Sequence, residues 1–173
     1  MPWTAPDIDR PRPSTVSQER AALEDWLRFH RQTLLFKCAG LSAEQLKIAS
    51  VEPSTLSLLG LVRHMADVER SWFQRRFAGR DVDPLFWSED DPDGDFDNVA
   101  DADAAADFAT YRAECDAADE TVAGHGLDET FFHPRIGTHF DLRWVYLHMI
   151  EEYARHNGHA DLIRERIDGA VGD

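Results

Sequence analysis

The residue pattern points to an all-α fold, a four-helix bundle, and three features carry that conclusion. Apolar residues recur at steps of three and four in four separate long segments. Glycines follow those segments at Gly40, Gly79, Gly124 and Gly169, where a helix can end on a left-handed residue. No segment alternates for long enough to form a strand, since Ser54-Thr55-Leu56-Ser57 and Phe131-Phe132 are too short. The chain has 173 residues, 43% hydrophobic and 29% charged, which suits one domain with a sizeable core.

Residues 1–13 hold four prolines and are expected to form an extended arm, with residues 14–173 as a single helical domain. From Ser14 to Ala39, Leu23, Trp26, Leu27, His30, Leu34 and Leu35 mark one face of an amphipathic helix that Gly40 stops. Ser42 and Gln45 then fit a capping box, which predicts a short helix through Ile48. Pro53 and Ser54 open the second long helix, and Leu58, Leu61, Met65, Val68 and Trp72 carry its spacing to about Phe77. Residues 80–100, with two prolines, Gly94 and many aspartates, make a long acidic connection. It permits a crossover between the second and third helices. Ala102–Ala123 is the third long helix, and 125–139 is a loop. Asp141 is placed to cap the last helix, where Leu142, Val145, Tyr146, Met149, Tyr153 and Ile163 repeat until Gly169.

Charge narrows the function. Thirty-three acidic residues face 18 basic ones, a formal charge of -15. Such a surface repels phosphate backbones and anionic membranes, so neither nucleic acid nor membrane is an expected partner. No apolar run is long enough to span a bilayer, and the amino terminus lacks the apolar core of a secretory signal. A cytoplasmic location is expected. Cys38 and Cys115 form neither a CxxC pair nor a disulfide framework. The acidic stretch fails as an EF-hand, because Ala100 falls where a bidentate Glu is needed. A homodimer through an exposed apolar helix face is a further expectation.

The last helix carries the chemistry. His148, Glu152 and His156 follow at intervals of four and His159 at three, so they share one stripe. Apolar neighbours turn that stripe inward, where a lone carboxylate is costly and a divalent cation would compensate it. Residues at i and i+4 can converge on one ion, which makes Glu152 and His156 a candidate pair. A third ligand must come from another helix: His64 is the best candidate and His30 a weaker one. Two imidazoles and a carboxylate leave a coordination position open. The bland alternatives are a hydrogen-bonded core histidine and an ordinary surface i,i+4 pair. His148 and His159 are expected to be structural or supporting. Asp67, Glu69, Arg155 and Asp161 are expected to be solvent-facing.

Three blocks, Trp26 to Leu35 with Lys37 to Leu41, Pro53 to Arg70, and His148 to Leu162, resemble the actinobacterial branch of the DinB superfamily. The resemblance covers about residues 20–168 and implies a four-helix bundle with a metal triad inside it. His64 falls on the ligand of the second helix and His156 on the second ligand of the last helix. Most relatives have histidine where this chain has Glu152. The thiol-dependent branch, which includes mycothiol-dependent maleylpyruvate isomerase, is similar in carrying glutamate there. The implied activity is metal-dependent S-transfer, in which a low-molecular-weight thiol, mycothiol, attacks an electrophile as a metal-bound thiolate. Zinc suits the site best, with nickel or iron(II) as alternatives. No catalytic side chain beyond the metal-bound thiol is implied, and His159, Arg155, Tyr153 and Trp144 are candidates to support the site or touch substrate. A non-haem iron oxygenase, a metal-dependent hydrolase and a non-catalytic metal-binding stress protein are the competing possibilities.

Overall fold

A computed structural model of the chain describes residues 2–172. Among them four long helices, α1 (Glu19–Cys38), α3 (Leu58–Glu69), α5 (Ala104–Val122) and α6 (Leu142–Asp168), enclose the core. Single turns α2 (Ala43–Leu46) and α4 (Gly94–Asp97) lie in the connections, and a hairpin of β1 (Thr130–His133) and β2 (Thr138–Asp141) precedes α6. Helix α1 packs chiefly on α6 and α3 on α5, with α3 also touching α6 and α1. The interior is filled by fully buried Leu34, Leu58, Leu61, Met65, Tyr146 and Met149, among others. Each such side chain removed from water contributes about 2 kcal/mol. No helix among the described residues is long and apolar enough to cross a membrane.

Local chemistry explains most boundaries. Ser42 and Gln45 form the reciprocal capping box, and Asp141 accepts the Trp144 N–H at the start of α6. Gly169 closes α6 at a left-handed φ of 78°. Helix α1 starts at Glu19 and not at Ser14, whose hydroxyl instead donates to the Val16 carbonyl. Helix α3 is capped by Ser57, three residues after Ser54, because Ser57 is the residue whose hydroxyl accepts the Gly60 N–H.

Two features depart from the sequence expectation. The segment 125–139 is not wholly loop: β1 and β2 pair antiparallel, with Phe131 opposite Phe140 and His133 opposite Thr138. Gly137, at φ 78°, closes the turn, and Phe131 meets Phe77 edge-on at 5.9 Å. The helix through Phe77 is also not uniform. After Glu69 it widens into a π-helical segment, Arg70–Phe77, where the Ala78 N–H reaches back five residues to the Phe73 carbonyl.

The arm lies against the helices. The Ala5 N–H donates to the Leu41 carbonyl and the Ala5 carbonyl accepts from Gly40. Trp3 sits edge-on to Phe108 at 5.3 Å. The acidic connection is likewise pinned. Asp67 accepts the N–H groups of Leu85 and Phe86, and Arg63 donates to the carbonyls of Gly94 and Asp95 while pairing with Asp107. Asp67 is therefore buried and not solvent-facing, and so is Glu69.

Candidate metal centre

Helices α3 and α6 bring His64 and His156 together, with ring centroids 4.9 Å apart. Both rings have one nitrogen engaged. His64 Nδ1 lies 2.7 Å from Asp95 Oδ2, and His156 Nδ1 lies 3.4 Å from His159 Nδ1. In each ring Nε2 is the atom left to face a ligand, and a carboxylate on the far nitrogen is the usual orienting partner of a metal-bound histidine. Phe96 stacks on His64 at 4.9 Å and fixes the ring plane. The i,i+4 spacing on α6 sets Glu152 between two histidines: Oε2 is 3.6 Å from His156 Nε2 and Oε1 is 3.4 Å from His148 Nε2.

Burial favours the neutral form of His156 and His148. The His156 pKa is pushed down to about 4, by desolvation first and then by His64 and His159. Burial also lowers His148. Neutral imidazoles offer lone pairs, so the donor set fits a borderline divalent cation. One group of three among the described residues, His148, Glu151 and Glu152, has its donor atoms within 4.8 Å of one another. Glu152 is common to this group and to the trio His64, Glu152 and His156. His148 thus stands beside the candidate ligand Glu152, as its spacing of four implied, whereas His30 contacts Asn157 instead.

The other candidates divide. His159 adjoins His156. Trp144 stacks on His148 with centroids 4.8 Å apart, beside Trp72. Arg155 is exposed and pairs with Glu151. Tyr153 is fully buried, its hydroxyl donating to Glu69 and contacting Tyr111, so it faces the core. Asp161 reaches Lys37 at 2.5 Å. Burial raises the Cys38 thiol to about 12, and burial with the nearby Glu69 charge raises Cys115, which disfavours the thiolate form at both.

A cavity of about 310 Å³ opens beside His64 and Asp95, walled by Trp72, Trp87 and Arg76. The role of Asp95 had no signal in the sequence, as it lies 31 residues from His64 within a run of similar acids. The sequence marks Trp72 only as an apolar position of its helix, and nothing in it brings Trp87 to that residue.

The profile of the family described as MST, mycothiol-S-transferase, matches residues 22–169. The chain belongs to this mycothiol-S-transferase family. The match runs from within α1 to the end of α6 and includes every residue of the centre described above. No curated protein matches the chain. The family's name supplies a thiol as substrate class.

Proposed function

We propose that the protein is a metal-dependent thiol S-transferase that conjugates mycothiol to an electrophilic acceptor, within a DinB-like four-helix bundle. The observation that supports it is the meeting of His64 and His156 from two helices, 4.9 Å apart, with Glu152 alongside. His64, Glu152 and His156 would hold a divalent cation, zinc ahead of nickel or iron(II) because imidazole, carboxylate and an incoming sulfur suit it. When bound, that ion supplies the Lewis acidity that keeps a thiol ionised near neutral pH. The chain's residues do the positioning. Asp95 accepts the Nδ1 proton of His64 and so leaves the Nε2 lone pair inward. His148 faces Glu152 and holds its carboxylate on the stripe. Trp72 and Trp87 wall the cavity and give an acceptor an apolar surface to approach along.

The test pairs metal content with turnover. Wild type is expected to retain zinc and to consume mycothiol with chlorinated aromatic acceptors. His64→Ala, Glu152→Ala and His156→Ala are expected to lose both properties. Zinc-loaded wild type that consumes neither thiol nor acceptor overturns the transferase. Oxygen uptake by iron-loaded protein without thiol loss would identify an oxygenase instead.

A further inference from the structure

A second cavity, of about 500 Å³, adjoins the first and shares Ser71, Arg76 and Trp87 with it. Its wall carries Arg75, Arg76, Arg80 and Arg135. This is unexpected in a chain with a formal charge of -15. Several arginines elsewhere find carboxylates: Arg31 pairs with Glu69, Arg70 with Glu114 and Arg164 with Asp168. Among the described residues, none of these four has a carboxylate within ion-pair distance. Asp81 is the one acid on this wall, and it too forms no ion pair.

Arg76 is central. Its guanidinium lies over the Trp72 ring, 4.6 Å from the centroid, and contacts Ser71. Its Nε donates to Nε2 of buried His133, at 2.8 Å. An imidazole carries no negative charge, so this contact orients Arg76 without compensating its charge. Burial, with Arg75 and Arg135 close by, pulls the Arg76 pKa down. An incoming anion would relieve that cost, and the planar guanidinium matches a carboxylate in a two-point contact.

We propose that Arg76 and Arg135, supported by Arg75 and Arg80, form the binding subsite for a carboxylate on the electrophilic acceptor. The shared wall then sets the acceptor's reactive carbon in the first cavity, beside His64. A singly charged carboxylate fits better than a phosphate dianion, because Asp81 lines the same cavity and the whole surface is acidic. The word acceptor rests on the transferase function; the anion subsite does not.

The experiment is isothermal titration of metal-free protein, without thiol, using 4-nitrobenzoate, its neutral methyl ester and 4-nitrophenyl phosphate. The acid is expected to bind at least about tenfold more tightly than the ester, and more tightly than the phosphate. Arg76→Gln and the exposed Arg135→Gln should each weaken the acid about tenfold and leave the ester unchanged. Equal binding of acid and ester, tighter binding of the phosphate, or full acid affinity in Arg135→Gln overturns the proposal. Because no metal or thiol is present, arginine-dependent acid binding stands even if zinc-loaded protein transfers no thiol. Conversely, thiol transfer without any preference for the acid leaves the transferase intact and removes the subsite.

Discussion

Asp95 decides which nitrogen of His64 faces the neighbouring helix. Its carboxylate engages Nδ1 at 2.7 Å, so removing it frees the ring to turn. Asp95→Ala should lower zinc affinity by about 10- to 100-fold, measured by competition with a chromophoric chelator. Unchanged affinity would show that Phe96 stacking alone fixes the ring. His30 offers a second residue-level test, away from the centre. It lies against Trp26 and Phe29, and burial lowers its pKa. The unfolded chain protonates this imidazole first, near pH 6.5. Its contribution is therefore fully present above about pH 6.5 and is lost as pH falls through the lower folded value. In urea titrations at pH 7 and pH 5, His30→Gln should lose less stability on acidification than wild type. Equal losses would rule His30 out as a source of the slope.

At the scale of elements, the close contact of α3 with the α4 turn matters most. A Cβ at Gly60 would come within 3.0 Å of the Phe96 ring and 3.4 Å of its Cα. Gly60→Ala should thus push back the turn that carries Asp95 and weaken zinc binding, while circular dichroism stays helical. Full zinc affinity in this variant would show that the turn can shift without cost. Much of this layer was legible in the sequence. Ser42 with Gln45, Asp141 and Gly169 marked helix ends by hydrogen-bonding chemistry that acts within a few residues. The four-residue steps of His148, Glu152 and His156 foretold their common stripe, because helical period is local. The hairpin was not legible, since two strands of four residues show no alternation to detect. Nor was the π-helical segment: a change of hydrogen-bond register at Glu69 leaves no mark in residue type. Asp95 and Arg63 act across long stretches of chain, so only the folded backbone reveals their partners.

Across the whole molecule, one buried polar network ties the four long helices together. Arg31 of α1 meets both oxygens of Glu69 on α3, each at 2.7 Å, and Asp119 of α5 at 2.8 Å. Tyr153 of α6 donates to Glu69, and Tyr111 of α5 contacts Tyr153. Glu69→Ala leaves the Arg31 guanidinium buried without its main partner and should cost about 3–5 kcal/mol in urea denaturation. The double change Glu69→Leu with Arg31→Met removes both charges and should cost less. A single variant as stable as wild type would show that water reaches Arg31. The acidic connection differs in kind. It is fastened at two places, Asp67 gripping Leu85 and Phe86, and Arg63 gripping Gly94 and Asp95. Between those fasteners run Trp87 and an exposed tip at residues 89–93. The grips come from Asp67 and Arg63 on α3, so recolouring the exposed Glu89 and Asp90 leaves both anchors and the facing histidines where they are. Natural variation can therefore remodel the mouth of the cleft like an interchangeable doorframe, altering which molecules enter while the hardware behind it stays fixed.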